Sequence, residues 1–392
     1  MGDAPLPRPE AARVTAAATG DAGFDRWIAE FKRKARRQGI SVQVLEAAFG
    51  GMRYDREVIR LDRNQSEFTK TIWDYLDSAV SASRVSNGRA AYRANEAVLQ
   101  QIERRYGVPA SIVVAVWGME TSFGSYRGSN DVIRSLATLA YDGRRGAFFE
   151  AQLLAALEIL DDGDVSPRAM RGSWAGAMGH TQFMPDSYLR YAVDFTGDGR
   201  RNIWGEDPTD ALASTANYLA KKGWVTGQPW GVEVRLPDGF DFALSGRKTT
   251  KTPRQWARLG VVGIDGREVP NHGRGSILLP AGAQGVALMV FENFEVIERY
   301  NPADAYVIGV GHLADRIVGR PAFAANWPRG DRALASSERR ELQERLTRAG
   351  FDTKGVDGMI GPNTVSAIRA YQKRTGLVPD GYASLDLLTR LR

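Results

Sequence analysis

The order of hydrophobic and polar positions predicts a largely helical N-terminal half. Between Phe24 and Gly39, apolar residues recur at the spacing that places them on one face of an amphipathic helix. The basic run FKRKARR falls mostly on the opposite face, which favours a solvated helix face over a nucleic-acid or membrane patch. Further helices are predicted over residues 74–83, 90–106, 109–119, 147–160 and 208–222.

The pattern changes at about residue 225. Gly and Pro become frequent, and short alternating runs appear, such as WGVEVRL, in which Val232, Val234 and Leu236 share one face. With SILLP and GVALMVF, these runs predict a small β-rich lobe over about 225–294, inserted in a helical body. Helical pattern returns over 303–318, where we interpret the glycines of VIGVGHLAD as punctuation at the start of a helix.

The last 72 residues divide into two parts. The stretch PAFAANWPRGDRALA, residues 321–335, is rich in Pro, Ala and small polar residues and predicts a linker. Residues 336–392 then form a separate compact unit. The predicted fold class is mainly α (α+β).

Composition narrows the class of protein without selecting a function. The chain has 392 residues, enough for roughly two or three domains, and no run of about 20 apolar residues that a membrane-spanning helix requires. It has no cysteine, which excludes disulfides, thiolate catalysis and zinc sites of the cysteine type. A net charge of +6 favours an acidic partner, which could be nucleic acid, anionic lipid or a polyanionic wall polymer.

The first candidate catalytic residue is a glutamate at the end of a predicted apolar helix. In YGVPASIVVAVWGMETSFGSY, Pro109 suits the first helical turn and Glu120 lies at the other end. Apolar neighbours such as Trp117 and Phe123 would desolvate Glu120 and raise its pKa, so that it could act as a general acid near neutral pH. The alternative is a glutamate that points to solvent.

The three histidines stand singly, which disfavours a histidine metal site or a Ser-His-Asp triad.

A second segment, RGSWAGAMGHTQFMPDSY, places small residues around Ser173 and Gln182. Small residues permit close backbone approach, and a Gln side chain offers both a donor and an acceptor to a sugar amide or hydroxyl. By itself the segment could be a tight helix crossing.

METSFG followed by GSWAGAMGHTQFMPDSY resembles the soluble and membrane-bound lytic transglycosylase B family, which has a lysozyme-like core. The resemblance covers about residues 24–320. It implies that Glu120 is the single catalytic acid and base, and that Ser173 and Gln182 hold the reacting sugar and its N-acetyl group. The run ERYNPADAYVIGVGHLAD is similar to the family's third motif, in which Tyr300, Asn301 and Tyr306 would complete the cleft. Asn301 would help to position the catalytic carboxylate.

The resemblance also indicates weaker candidates for substrate binding. Arg144 and Arg145, in YDGRRGAFFE, are similar to arginines of the family near the sugar-peptide substrate, although surface arginines would look the same. Tyr75, in WDYL, is a candidate for an outer sugar subsite, and a tyrosine buried in a core helix is the alternative.

The segment DFTGDGRRNIWGEDPTD starts like an EF-hand loop, with Asp194, Thr196 and Asp198 at the first three side-chain ligand positions and a glycine after them. Gly205 stands where a bidentate Glu belongs. Some members of the family bind a metal in a variant loop that uses a later Asp, and Asp210 could serve here. The alternative to a structural calcium site is a metal-free Asp-Gly turn. No cofactor is expected to be required.

The tail carries two related turns, at Asp357 and Asp380, each leading into an apolar helix over 365–374 or 385–391. It resembles a three-helix peptidoglycan-binding domain over about 336–392. A generic helical docking module is the alternative.

These resemblances predict non-hydrolytic cleavage of the β-1,4 bond between N-acetylmuramic acid and N-acetylglucosamine, leaving 1,6-anhydromuramyl ends. The expected partner is the peptidoglycan glycan strand and not nucleic acid, and the expected enzyme is a periplasmic monomer without a transmembrane segment. A signal peptide would already have been removed. A hydrolytic muramidase with a second carboxylate, or a non-catalytic wall-binding protein, is the alternative.

Overall fold

The computed structural model describes residues 21–64 and 70–392. The predicted mainly helical fold with small sheets is confirmed. The helices are α1 (Asp21–Arg37), α2 (Val42–Phe49), α3 (Arg56–Arg63), α4 (Ile72–Ala79), α5 (Ala82–Ala94), α6 (Glu96–Tyr106), α7 (Ala110–Thr121), α8 (Val132–Asp142), α9 (Gly146–Asp161), α10 (Pro185–Tyr191), α11 (Thr209–Lys221), α12 (Pro253–Ala257), α13 (Glu292–Glu298), α14 (Asp304–Ile317), α15 (Ser336–Arg348), α16 (Pro362–Arg374) and α17 (Leu385–Leu391). The strands are β1 (Asn130–Asp131), β2 (Arg171–Gly172), β3 (Gly231–Arg235), β4 (Val262–Gly263), β5 (Ser276–Leu278) and β6 (Ala287–Val290). None of the described helices has the length and apolar character to cross a membrane.

Two predicted helices are each interrupted by a polar residue. The helix predicted over 74–83 ends at Ala79, because the Ser81 side chain accepts a hydrogen bond from the Arg84 N–H and begins α5. The helix predicted over 90–106 divides at Asn95, whose side-chain amide donates to the carbonyl of Ala91. Both residues offer the backbone a local hydrogen bond that competes with helix continuation.

Helix α7 lies at the centre of the helical core and is buried on nearly all sides, with α5, α6, α11 and α14 packed around it. Two glycines of α14 permit close packing here. A Cβ at Gly309 would lie 3.1 Å from the Tyr75 ring, and one at Gly311 would overlap the Trp230 indole. The interpretation of these glycines as the start of a helix is wrong: both lie in its interior, where the absent side chains make room for neighbours.

A short two-stranded pairing connects the chain after α7 to the segment before Ser173. Strands β1 and β2 are antiparallel, with Asn130 opposite Gly172. Gly128 adopts a φ of 86°, and a Cβ there would lie 2.2 Å from the Gly172 carbonyl oxygen. A side chain at position 128 would therefore separate the two segments that carry the candidate site residues.

The β-rich lobe is an antiparallel sheet with the strand order β4-β3-β6-β5. Val232 lies opposite Met289 in the pairing of β3 with β6, and Ile277 lies opposite Met289 in the pairing of β5 with β6. The sheet has its own apolar core around the fully buried Trp256, and Val232, Val234 and Leu236 all contact that core as their alternation predicts.

The tail contains the same side-chain arrangement twice. Gln343 on α15 donates to Asp357 and accepts from the Gly358 N–H. Gln372 on α16 likewise donates to Asp380 and accepts from the Gly381 N–H. Each glutamine thus fixes one Asp-Gly turn, which explains the repeat in the sequence.

The tail is docked against the rest of the protein. The Asp380 carboxylate accepts from the Ala283 N–H of the β-rich lobe at 2.9 Å, and Arg369 donates to the Ser245 hydroxyl at 2.8 Å. In the 321–335 stretch, Phe323 and Trp327 pack on the large helical core. The stretch predicted as a linker therefore lies along the protein surface.

Candidate active site

The C-terminal end of α7 positions Glu120. The next two residues, Ser122 and Phe123, adopt left-handed conformations with φ of 49° and 60°. Their N–H groups donate to the carbonyls of Gly118 and Trp117, so the helix ends in a hydrogen-bonded turn immediately beyond the glutamate. Such a turn costs about 1 kcal/mol or more for each non-glycine residue and is retained where packing enforces it. Here the Phe123 ring packs against Trp117.

Glu120 is half-buried, and its Oε1 accepts a hydrogen bond from the Tyr306 hydroxyl at 2.6 Å. Burial raises the pKa of Glu120 to about 7, and the hydrogen bond from Tyr306 opposes that rise by stabilising the carboxylate. The glutamate can thus exist in both protonation states near neutral pH. This is the property that a residue acting first as an acid and then as a base needs.

Tyr75 lies beside the same carboxylate. Burial, and next the charge of Glu120, raise the pKa of Tyr75 to about 12. The Tyr75 ring and the Met119 side chain both pack over Gly309 of α14, where a Cβ would lie 3.1 and 3.2 Å from them. The structure therefore brings Tyr75 and Tyr306 to Glu120 from two helices remote in sequence.

The segment between α13 and α14 supplies the other residues of the third motif. Tyr300 is half-buried, and its hydroxyl donates to the Thr181 carbonyl at 2.5 Å. Burial and the charge of Glu120 raise its pKa well above the usual value. Asn301 is half-buried, and its side-chain amide has no hydrogen-bond partner among the described residues.

Ser173 and Gln182 lie in neighbouring turns. The Ser173 Oγ accepts from the Ala177 N–H at 3.0 Å, which leaves its own proton available as a donor. Gln182 has a left-handed φ of 54°, and its Nε2 donates to the carbonyls of Arg127 and Gly179. Because both donors of Gln182 are used internally, its side-chain oxygen is the atom available to a ligand.

His180 connects these turns to α7, a role that the sequence analysis missed. Its Nδ1 accepts from the Trp117 indole at 3.1 Å, and its Nε2 lies 2.7 Å from the Gly205 carbonyl. Its own carbonyl accepts from the Thr121 hydroxyl at 2.6 Å. Burial lowers its pKa, which favours the neutral ring that these contacts require. The only signal in the sequence was its place between the glycine and threonine of the second motif.

Arg84 also escaped prediction. Its Nη1 donates to the Gly118 carbonyl at 3.1 Å and thereby binds the last turn of α7 next to Glu120. No motif surrounds it, so only the packing of α5 on α7 identifies it.

Arg144 and Arg145 lie at the turn between α8 and α9. Arg144 donates to the buried carboxylate of Asp62 at 2.6 Å, which gives it a structural partner. Arg145 is exposed, and its guanidinium lies 4.4 Å from the centre of the Phe148 ring. Neither contacts Glu120 or the tyrosines around it.

The Asp-rich loop brings three carboxylates together. Oxygen atoms of Asp194, Asp198 and Asp210 lie within 4.8 Å of one another. Asp210, from the start of α11, accepts from the N–H groups of Phe195, Thr196 and Asn202 and so reaches into the loop. The Thr196 hydroxyl donates to Asp194. Clustered carboxylate oxygens suit a hard cation such as calcium, so the residues present fit such an ion.

Glu120 is the carboxylate that the described structure places beside Tyr75, Tyr300 and Tyr306. Burial and Tyr306 are the influences on the pKa of Glu120, and no other carboxylate of the described residues contributes. A lysozyme-like helical core with an acid of this kind, a set of tyrosines around it, and a helical tail with paired Asp-Gly turns together define a class of enzyme, the peptidoglycan lytic transglycosylases.

Comparison with known proteins gives the family. Residues 23–315 match the model of the Transglycosylase SLT domain, and residues 335–391 match that of the putative peptidoglycan binding domain. The chain belongs to the family of SLT-domain lytic transglycosylases. It therefore cleaves the glycan strands of peptidoglycan without hydrolysis, producing anhydromuramyl ends.

Individual relatives agree with this assignment. The chain is 32% identical to the membrane-bound lytic murein transglycosylase B of Escherichia coli over 302 residues, 73% of this chain and 80% of that protein. It is similar to SltB3 of Pseudomonas aeruginosa in complex with NAG-anhNAM-pentapeptide, with 49% identity, a TM-score of 0.90, and 94% of this chain and 99% of that chain covered. For Slt35 of E. coli in complex with calcium, the identity is 31%, the TM-score is 0.64, and the match covers 76% of this chain and 93% of that chain.

Proposed function

We propose that Glu120 performs both proton transfers of the reaction. In the first, its protonated carboxyl donates to the glycosidic oxygen between N-acetylmuramic acid and N-acetylglucosamine while the bond from that oxygen to the anomeric carbon breaks. The observation that carries the proposal is the position of Glu120 at the end of the buried helix α7, 2.6 Å from the Tyr306 hydroxyl. Burial there raises its pKa to about 7, so that a large fraction is protonated at neutral pH.

In the second transfer, the Glu120 carboxylate takes the proton of the muramyl C6 hydroxyl as that oxygen bonds to the anomeric carbon of the same ring. No water is consumed, and Glu120 returns to its protonated state. A nucleophile held within the substrate can reach an effective concentration of about 10⁵ M or more, so it competes successfully with water. A second carboxylate to activate water is not needed.

The surrounding polar groups are assigned to binding and positioning. Tyr306 would hold the Glu120 carboxyl by its hydrogen bond, since the hydroxyl lies 2.6 Å from Oε1. The Ser173 hydroxyl and the free oxygen of Gln182 would bind the reacting sugar and its N-acetyl group, and the unpartnered amide of Asn301 would complete the cleft beside Tyr300. Tyr75 would contact a sugar in a neighbouring subsite. Arg144 and Arg145 would contact the peptide part of the substrate at the edge of the cleft.

Analysis of products separates this mechanism from hydrolysis. Digestion of purified sacculi followed by mass spectrometry should give muramyl ends lighter than reducing ends by one water. Glu120→Gln should reduce the rate by about 10²-fold or more, the usual contribution of a general acid. Full activity in Glu120→Gln would show that another residue transfers the proton, and reducing ends in the wild-type digest would contradict attack by the C6 hydroxyl.

A structural calcium ion is assigned to the Asp-rich loop, with Asp194, Asp198 and Asp210 as its carboxylate ligands and Thr196 as a neighbouring oxygen donor. Asp210 would replace the missing bidentate residue at the position of Gly205. The ion would stabilise the loop without taking part in the reaction. The enzyme is further proposed to act as a monomer in the periplasm, where its polymer substrate lies.

A further inference from the structure

We infer a second, non-catalytic binding site for peptidoglycan strands in a basic cavity between α4, α5, α14 and the 321–335 stretch. The cavity has a volume of about 800 Å³. Its walls include Arg89 and Arg93 from α5, Arg316 from α14 and Trp327 from the stretch beyond α14.

The cavity is separate from the cleft that contains Glu120. Arg89 and Arg93 are four residues apart and share one face of α5, which lines the cavity. Arg84 lies on the opposite face of the same helix and binds the Gly118 carbonyl beside Glu120. Helix α5 therefore stands between the two sites.

The cavity carries an excess of positive charge. Its single lining carboxylate, Asp77, is held by Arg329 in a bidentate pair with distances of 2.7 and 2.9 Å. Arg89 donates to the Arg316 carbonyl and Arg316 to the Arg320 carbonyl, so neither faces a carboxylate. Arg93 is exposed and has no partner among the described residues. Three guanidinium charges are thus available to anionic groups.

The same cavity has surfaces that suit sugar rings. Phe323 and Trp327 line one side, and the Phe323 ring is held by stacking on His312 at 3.9 Å between ring centres. Ser81, Ser86 and Asn326 add hydroxyl and amide groups among them. Aromatic rings contact the apolar faces of sugars, while hydroxyl and amide groups bond to their edges.

A ligand with both sugars and carboxylates fits this combination, and the enzyme's own substrate has both. Peptidoglycan strands carry carboxylates on their peptide stems, or on the muramyl residue where the stem has been removed. The wall made by residues 321–335 joins the catalytic core to the tail, so a strand bound here would be held beside both. When a strand is held at one of these sites, its local concentration at the other sites rises.

Binding of soluble strands tests the site, with full-length Glu120→Gln used to prevent turnover. The probes are fluorescently labelled, uncross-linked peptidoglycan strands and neutral N-acetylglucosamine oligomers of the same length. Arg93→Glu should weaken binding of the peptidoglycan strands by about three- to tenfold at low salt and leave the neutral oligomers unaffected, because loss of an exposed charge contact costs roughly this much. The loss of affinity for peptidoglycan strands in Arg93→Glu should become smaller at high salt.

Two further variants make the comparison specific. Arg33→Glu is the matched control, because Arg33 is an exposed arginine on α1, outside the cavity and without a partner among the described residues. Ser86→Trp should weaken binding by filling the cavity without a change of charge. Equal losses for Arg93→Glu and Arg33→Glu, or no loss for either cavity variant, would overturn the proposal.

Oligonucleotides of equal charge distinguish a peptidoglycan site from a general anion site. They should displace labelled strands to the same extent whether or not Arg93 is present. Displacement that depends on Arg93 would refute the assignment to peptidoglycan. Residual turnover by Glu120→Gln would count against the role of Glu120 and not against the cavity, since Arg93→Glu and Arg33→Glu are compared in one background.

Discussion

The Tyr306 hydroxyl and the Glu120 carboxylate, 186 residues apart in the chain, are joined by a hydrogen bond of 2.6 Å. Burial of Glu120 favours its protonated form, whereas this bond favours the charged form. The balance between the two sets the fraction of the acid that is ready to donate at neutral pH.

Tyr306→Phe should therefore raise the pKa of Glu120 further. The alkaline limb of the pH–rate profile should move upward by about one pH unit, since a hydrogen bond to a charged group contributes about 1.5 kcal/mol or more. The rate at the optimum should fall, because the carboxyl loses the partner that orients it. Tyr54→Phe, which removes a hydroxyl that contacts Asp142, is the matched control and should leave the profile unchanged. An unshifted limb in Tyr306→Phe would contradict the coupling.

Glu120 should also reduce stability above neutral pH. Its pKa is about 7 in the folded protein and ordinarily 4.5, so the folded state binds more protons between these values and its free energy of unfolding falls as pH rises through this range. Glu120→Gln cannot ionise. It should be more stable than the wild type at pH 8 by up to about 2 to 3 kcal/mol, and the advantage should vanish below about pH 4.5. Urea unfolding at the two pH values measures the difference, and a constant offset would be evidence against a buried, titrating carboxyl.

Calcium should raise the melting temperature of the protein. A ligand that binds only the folded state stabilises it by about 2.7 kcal/mol at 100 times its dissociation constant. Asp210→Asn should abolish the shift, since Asp210 holds the loop through three backbone N–H groups and belongs to the carboxylate cluster. Asp238→Asn, an exposed acid outside the cluster, is the control and should retain it. Equal melting temperatures with calcium and with a chelator would favour the metal-free turn.

The tail should fold and bind the wall as a fragment that begins at Asp331. Leu334 belongs to the apolar core of the tail, and the Asp331 carboxylate accepts from the Leu385 N–H. The fragment 331–392 should pellet with purified peptidoglycan. An enzyme that ends before Asp331 should digest sacculi several-fold more slowly and cleave short soluble oligomers at nearly the same rate, because tethering raises only the local concentration. Loss of both activities in a truncated protein that is folded by circular dichroism would place the tail in the active site.

The sequence by itself determined the features that depend on neighbouring residues. The spacing of apolar residues in α1, the buried sequence of α7 and the alternation in β3 each express the local geometry of one element. The contiguous motifs around Glu120 and Gln182 also indicated the reaction. Each motif consists of neighbouring residues, so it can be recognised without knowledge of how the rest of the chain folds. Local pattern was less reliable at Ser81 and Asn95, where one side-chain hydrogen bond ends a helix that the periodicity would continue.

Only the tertiary structure decided how these residues act on one another. Tyr306 reaches Glu120 because Gly309 lets α14 approach Tyr75 and Met119, and no local pattern distinguishes such a glycine from one that starts a helix. The pKa of Glu120 depends on burial by elements far away in the chain. His180 and Asp210 likewise gain their roles from partners across packed surfaces. Desolvation and hydrogen bonding act over a few ångströms in space. The number of residues between two positions in the chain does not show whether they lie that close together.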